Sequence, residues 1–231
     1  MQHTFTLPLS TLRAALTHSS TDDVRGYLIG VCLALPCGRV VATDGRRMLV
    51  ADGPCVLGAP SVIIDADSIK AVIKAYESSG APYKQGGTLG AWPIECALEC
   101  VEGATTATNI TLKVPNGSIV ARPIDGQYPD FKRVIPTKVD GTAGNYNAGY
   151  IQTAVTAFKM YRNKHKNDSG YNPTLVQNGL SPAVMFDNDN GMLVIVMPLR
   201  ASKDVGPGDA IAACDWARSN APADAAAAKV A

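Results

Sequence analysis

Residues Val41–Met48 read VATDGRRM and are central to how this chain folds. The run Arg39–Ala42 is typical of a strand, and the pair Asp44-Gly45 marks a tight turn. Met48–Ala51 then returns as the second strand of a hairpin. The turn presents two arginines beside short apolar side chains. On these residues alone it is either a solvated hairpin tip or a loop that receives a peptide or contacts phosphate.

Three further segments accompany this hairpin: Val24–Val31 (VRGYLIGV), Tyr128–Pro136 (YPDFKRVIP) and Val196–Arg200 (VMPLR). In this order the four segments resemble motifs of the bacterial sliding clamp, the beta subunit of DNA polymerase III. Those motifs read R-x-Y-L-x-G-V, V-A-T-D-G-H-R-L, F-P-D-Y-R-R-V-I-P and V-M-P-M-R. Because four separate motifs recur in register over about residues 4–200, the resemblance is specific.

The spacing of apolar residues predicts strand, helix and three strands, twice over, within residues 3–124. The first helix buries Leu9, Leu12, Ala15 and Leu16, and the second begins after Asp65 as an N-cap residue. The strands are predicted at residues 3–7, Tyr27–Leu35, 39–42, Met48–Ala51, Ser61–Ile64, Ile94–Val101, Asn109–Val114 and Ser118–Pro123. The predicted class is α+β, and the resemblance implies the DNA-clamp fold, with repeated βαβββ half-units whose helices pack on antiparallel sheets.

The rest of the chain predicts one further half-unit. A helix running from about Tyr150 to Lys164, with Ile151, Val155 and Phe158 inward, precedes strands at Thr174–Val176, Ala183–Phe186 and Met192–Met197. The predicted organisation is a complete clamp-like domain at 1–125, a linker at 126–144, a clamp-like half-domain at 145–200 and an Ala-rich, flexible tail at 201–231 with one short helix at Ala210–Arg218. Compared with the family, this corresponds to the middle domain plus the last half of the third.

Composition bounds the possible functions. At 46% hydrophobic residues the chain can build a core, and a net charge of +1 gives no overall polyelectrolyte signal for nucleic acid. Six cysteines without a CxxC pair and only three histidines argue against a metal site, and the cysteines are expected to be mostly reduced core thiols. No catalytic motif is present, so we predict no enzyme, no catalytic residue and no cofactor. Without a signal peptide or a long apolar run, we expect a cytoplasmic protein with no membrane contact.

The resemblance implies a groove for a short, largely apolar motif of a partner protein. Flexible methionines and rigid prolines suit such a groove, although an ordinary core under a loop would use the same residue types. One leucine or phenylalanine of the peptide buried there would contribute roughly 2–3 kcal/mol. Arg46 departs from the histidine of the family. Carried over by position, the lining is Leu28, Thr43, Gly45, Arg46, Arg47, Met48, Pro136, Ile195, Met197, Pro198 and Leu199.

The resemblance also implies that helices present Lys and Arg to DNA phosphates without reading the base sequence. The alternative is a solvated helix face, which is the usual meaning of a charge run. The candidate residues are Arg13, Arg25, Tyr27, Lys70, Lys74, Lys159, Arg162, Lys164 and Lys166.

The predicted function is that of a sliding-clamp-like processivity factor. Its partners are double-stranded DNA and a DNA polymerase or other proteins that carry clamp-binding motifs. The alternatives are an adaptor or competitor that binds such peptides without encircling DNA, and a remnant with neither activity. Because the family's ring contains twelve half-units and this chain carries three, we expect a homo-oligomer: a dimer, or a tetramer that closes a ring.

Overall fold

The computed structural model describes residues 1–21, 23–79, 92–101, 107–162, 173–187, 191–200 and 214. Contacts divide the chain into two compact units, Met1–Pro198 and Leu199–Ala231. The domain boundaries inferred from the sequence stay a prediction. The expected tail and its short helix lie outside the described residues, except for Cys214.

The first unit contains the predicted doubled order of strand, helix and three strands, followed by a third helix and three strands. The helices are α1 (Leu9–Leu16), α2 (Ala66–Ser78) and α3 (Ala148–Tyr161). The strands are β1 (Gln2–Pro8), β2 (Val31–Ala34), β3 (Arg39–Thr43), β4 (Arg47–Asp52), β5 (Val62–Ile64), β6 (Pro93–Cys100), β7 (Ala107–Val114), β8 (Gly117–Ala121), β9 (Thr174–Val176), β10 (Ala183–Phe186) and β11 (Met192–Val196). Short 3-10 turns occupy Asp23–Leu28, Leu35–Cys37 and Phe131–Arg133.

These strands form two sheets in which every pairing is antiparallel. The smaller sheet has the order β1-β6-β7-β8, and the larger has the order β5-β2-β3-β4-β11-β10-β9. The repeats exchange their first strands: β1 joins the strands of the second repeat, and β5 joins those of the first. The third helix–strand segment extends the larger sheet through β4 and β11, where Leu49 lies opposite Val194. This junction places the C-terminal strands beside the VATDGRRM hairpin.

The seven-stranded sheet is apolar on both faces. Successive side chains of a strand point to opposite faces, and in the central strands the residues at both sets of positions are apolar. Its inner face, which includes Val40, Leu49 and Val194, belongs to the main core with the helices, and α1 contacts both α2 and α3. Its outer face carries a second cluster, which includes Val41, Met48 and Ile195. That cluster is covered by the segment 124–135, which supplies Ile124, Tyr128, Phe131, Val134 and Ile135. A stretch without strands therefore acts as the outer layer of the sheet.

Local chemistry explains where the helices begin. The Asp65 side chain accepts a hydrogen bond of 2.7 Å from the amide of Ser68, as predicted for an N-cap residue. Asn147 does the same for α3 by accepting from the amide of Gly149 at 2.8 Å. In α2 the residues Ile69, Val72 and Tyr76 are buried.

Two sequence-based expectations about individual elements need correction. Tyr27 and Leu28 lie in the 3-10 turn rather than in a strand, because the chain bends at Arg25 before β2 begins. In α3 the fully buried positions are Ala154, Ala157 and Phe158, whereas the predicted Ile151 and Val155 are only partly buried. Small alanines face inward because α3 packs closely against α1.

The cysteines also differ from expectation. All six thiols are free, as predicted, but only Cys32 and Cys96 are buried. Burial raises the pKa of both thiols to about 12, so these two stay protonated at neutral pH. The others are exposed or half-buried, so most are not core thiols.

Candidate functional site

The VATDGRRM turn is held in shape by the carboxylate of Asp44. Oδ1 accepts hydrogen bonds from the backbone amides of Arg46 (2.8 Å) and Arg47 (3.0 Å), and Oδ2 accepts one from Nε of Arg47 (2.9 Å). Gly45 has a φ of 86°, a conformation that favours glycine, and a Cβ there would lie 2.8 Å from Nη2 of Arg25. The Asp-Gly pair is therefore required both by the turn and by the arginine packed against it.

Thr43 and Arg46 form hydrogen bonds that link this turn to two distant parts of the chain, at Tyr128 and Met197. The amide of Thr43 donates to the hydroxyl of Tyr128 at 3.0 Å, and the Thr43 hydroxyl donates to the carbonyl of Arg47 at 2.7 Å. The amide of Met197 donates to the carbonyl of Arg46 at 2.9 Å. Burial raises the pKa of Tyr128, so its hydroxyl stays protonated at neutral pH. Three of the four sequence motifs thus meet at one point.

A cavity of about 200 Å³ opens at this point on the outer face of the seven-stranded sheet. We call it the apolar groove. Its floor is formed by β4 and β11, and its wall by the segment that covers the sheet. Met197, at its rim, is 39% exposed. The groove is lined by Arg25, Leu28, Thr43, Gly45, Arg47, Met48, Tyr128, Pro129, Phe131, Val134, Ile195 and Met197.

Seven of the residues proposed from the sequence line this groove: Leu28, Thr43, Gly45, Arg47, Met48, Ile195 and Met197. The other four lie elsewhere. Arg46 points to a neighbouring polar recess, and Pro136 is half-buried outside the lining. Pro198 forms a single bridge with Tyr146. Leu199 belongs to the second unit and is 48% exposed, so its role stays a prediction.

Sequence reasoning missed five lining residues: Arg25 as a groove residue, Tyr128, Pro129, Phe131 and Val134. The signal was present, because four of them belong to the YPDFKRVIP motif, from which only Pro136 was taken. The motif forms a 3-10 turn at Phe131–Arg133, and this turn directs its aromatic and apolar side chains onto the sheet.

A polar recess of about 300 Å³ adjoins the groove. Arg46 donates from Nη1 to the Tyr150 hydroxyl at 3.4 Å, and this hydrogen bond raises the pKa of Arg46. The guanidinium carbon of Arg47 lies 4.9 Å from the centre of the Tyr150 ring, within the range of a cation–π contact. The recess is lined by Ser19, Ser20, Thr21, Arg25, Asp44, Arg46, Arg47 and Tyr150.

No protein-family model matches the chain. It is 28% identical over 126 residues to the beta sliding clamp of Caulobacter vibrioides, covering 51% of this chain and 29% of the relative. It is 26% identical over 145 residues to that of Salmonella typhimurium, covering 59% and 34%. Among solved structures, Caulobacter crescentus pol III beta superposes with a TM-score of 0.60 at 16% identity, covering 87% of this chain and 67% of that one. The chain has the fold of a bacterial sliding clamp. It spans about a third of the length of the curated relatives it matches.

Within this clamp fold, the residues proposed for DNA contact do not form one set. Lys70 and Lys74 are exposed on α2, and Lys159 is half-buried on α3. Lys70 forms an exposed ion pair with Asp67 at 2.9 Å, and exposed pairs of this kind contribute little. Arg13 lies 4.0 Å from Glu77. Lys164 and Lys166 lie outside the described residues.

Three of the proposed DNA-binding residues also make contacts within the chain. Nε of Arg162 donates to Oδ2 of Asp187 at 2.6 Å, and the Asp187 side chain is 4% exposed. Arg25 lines the groove and the recess, and Tyr27 packs on the outer cluster of the seven-stranded sheet. We therefore leave Arg162, Arg25 and Tyr27 out of the DNA-binding surface proposed below.

The described residues contain no group of three or more His, Cys, Asp or Glu side chains that could hold a metal ion. Over that same part of the chain, no helix is long and apolar enough to cross a membrane.

Proposed function

We propose that this chain is a non-catalytic, sliding-clamp-like processivity factor that holds a DNA polymerase or another partner near DNA. The observation that carries the proposal is the apolar groove. It is built where the N-terminal hairpin, the covering segment and the last strand meet, and it remains open at Met197. An ordinary core would close over these side chains, whereas a docking groove leaves an apolar rim accessible.

The occupant that fits this groove is an extended segment carrying a leucine or phenylalanine. Met48 and Met197 offer deformable walls, and Pro129 and Tyr128 offer rigid ones. A single large apolar side chain buried in this cavity contributes roughly 2–3 kcal/mol. Because a dissociation constant of about 1 mM already requires about 4 kcal/mol, this anchor and the peptide residues beside it together give a weak, exchangeable contact. Such a contact suits a tether that serves several partners in turn.

The test is binding of a fluorescently labelled peptide that contains adjacent leucine and phenylalanine residues, followed by anisotropy. We expect saturable binding, and we expect Met197→Ala to weaken it about tenfold because an apolar wall is lost from the rim. Val120→Ala is the matched control, since Val120 is 62% exposed on β8 of the other sheet. Equal binding by the parent and Met197→Ala would refute the groove assignment.

Sliding on DNA forms the second part of the proposal, and it rests on the family resemblance and on the exposed lysines of α2. The adaptor alternative keeps the groove but has no hold on DNA. Retention on circular DNA that is lost when the circle is linearised supports the clamp. Peptide binding without such retention supports the adaptor.

A further inference from the structure

The polar recess beside the groove has an unbalanced charge. Among the described lining residues there are three arginines and one carboxylate, that of Asp44. Arg47 and Asp44 are both largely buried and form an ion pair at 2.9 Å, so they neutralise each other. Arg25 and Arg46 form no ion pair with any carboxylate in the described part of the chain.

Both remaining guanidinium groups are exposed and only weakly anchored. Arg25 donates to the carbonyl of Asp44 at 3.5 Å, and Arg46 donates to the hydroxyl of Tyr150 at 3.4 Å. Neither contact satisfies more than one of the five N–H donors that a guanidinium carries. The recess therefore holds positive charge and open donors in a concave site, which favours an anion.

The recess is continuous with the apolar groove, because Arg25 and Arg47 line both. A ligand that fills the groove with an apolar side chain must therefore place its neighbouring residues over the two arginines. A nucleic acid backbone could supply the negative charge, but it has no aliphatic side chain for the groove. A peptide supplies both groups in one short segment.

We propose that the recess is a specificity site for an acidic residue of the docking peptide, with Arg25 and Arg46 as the carboxylate-binding residues. This inference rests on the proposed peptide-binding function of the groove. It adds that this chain selects motifs in which Glu or Asp adjoins the apolar anchor. Arg46 replaces the histidine of the family's motif, and its charge is what makes the recess selective.

The test compares two families of peptides, all with acetylated and amidated ends so that no terminal carboxylate is present. Each carries the same leucine–phenylalanine anchor, with Glu or Gln placed one, two or three residues before it. In at least one register we expect the Glu peptide to bind the parent protein about tenfold more tightly than its Gln counterpart. The preference should shrink as salt is raised, because the arginines are exposed.

In the Arg46→Gln and Arg25→Gln variants, we expect the affinities for the Glu and Gln peptides to differ by no more than about twofold. In Arg46→Gln the Gln peptide should keep its affinity, because Arg46 does not line the apolar groove. Lys132→Gln is the matched control: Lys132 is an exposed cation on the covering segment, outside both cavities, and its loss should leave the preference intact.

The outcomes distinguish failure of the acidic-residue site from failure of the proposed peptide-binding function. Failure of every peptide to bind refutes the proposed groove. Equal binding of Glu and Gln peptides in all registers leaves the groove standing and overturns the acidic-residue site. If a DNA duplex displaces the Glu peptide from the parent, and Arg46→Gln weakens the duplex rather than removing the Glu preference, the recess binds phosphate and the inference is wrong.

Discussion

His18 shows how a single residue under the hairpin responds to pH. It is fully buried after α1, with its Nδ1 atom 2.8 Å from the hydroxyl of Thr17. Burial, reinforced by the nearby Arg47 guanidinium, lowers the pKa of His18 to about 3, whereas Asp44 and a hydrogen bond to Ala14 raise it less. The ring is therefore neutral in the folded protein at every physiological pH.

We predict an acid-dependent loss of stability that originates at His18. The unfolded chain binds a proton near pH 6.5 and the folded chain does not, so stability is constant above that pH and falls below it until about pH 3. The slope approaches about 1.4 kcal/mol per pH unit. Urea unfolding of the parent and His18→Asn between pH 7 and 5 checks this, because the variant should lose that slope. His3→Asn is the control and should keep it, and parallel curves for the parent and His18→Asn would contradict the assignment.

The site could be predicted in part at the residue scale. The hairpin residues Thr43, Gly45 and Met48 were predicted because the resemblance to the clamp motif carries them over by position, and all three line the groove. Tyr128 and Phe131 were not, because their position depends on a segment without strands folding over the sheet. No periodic pattern along the chain indicates such packing.

At the scale of elements, α3 and β10 are linked by an ion pair whose carboxylate is buried and whose guanidinium is partly buried. Arg162, at the end of α3, contacts Asp187, which directly follows β10. Removing one partner of a buried pair leaves an uncompensated charge. Thus a cation for which the resemblance implies DNA contact also joins two elements within the chain.

We expect Asp187→Ala to reduce the free energy of unfolding by roughly 3 kcal/mol, measured by urea denaturation. Asp67→Ala is the control because its ion pair with Lys70 is exposed, and it should cost less than about 1 kcal/mol. If Asp187→Ala and Asp67→Ala reduced the free energy of unfolding by similar amounts, the Arg162–Asp187 pair would contribute no more to stability than an exposed ion pair.

The two lysines on the exposed side of α2 carry the DNA prediction. Lys70→Glu combined with Lys74→Glu should weaken binding to duplexes of any sequence and flatten the dependence of affinity on salt. Lys132→Glu combined with Lys138→Glu makes the same change in charge on and just after the covering segment. Across a salt series, this control should weaken DNA binding less than the α2 double variant does. If both double variants weakened binding equally, the effect would come from the lower net charge and not from a DNA contact of α2.

Element order was predicted well because the apolar spacing is strong and each repeat begins with a strand followed by an amphipathic helix. Boundaries shifted by a few residues, and Tyr27 and Leu28, the last two residues of the 3-10 turn, were predicted as the start of a strand. The reason is physical: Tyr27 and Leu28 are apolar as strand residues are, but they pack from a 3-10 turn. The pairing of β4 with β11 had no local signal at all.

At the scale of the molecule, each sheet has two edge strands among the described residues: β5 and β9 in the larger sheet, and β1 and β8 in the smaller. Of these, β9 belongs to the third helix–strand segment, and Val120 on β8 is 62% exposed. Exposed strand edges favour association, and a two-fold axis is the simplest way to pair identical ones.

We therefore propose a dimer formed through β9, and we predict a dimeric mass by light scattering at tens of micromolar. Thr174→Lys combined with Val176→Lys should reduce the mass to that of one chain, because charged edges resist pairing. Val120→Lys, on the edge of the other sheet, should leave the dimer intact. A monomeric parent, or loss of the dimer only in Val120→Lys, would overturn this arrangement.

The pairing of β4 with β11 also has a consequence during synthesis. Leu49 and Val194 are neighbours in the sheet but are made far apart in time on the ribosome. The first two repeats can collapse while the remaining strands are still being translated, since early segments of a chain fold first. The groove, however, needs Ile195 and Met197, so it is complete only after β11 and Met197 have emerged from the ribosome. If the groove binds partners as proposed, a nascent chain cannot bind one before that point.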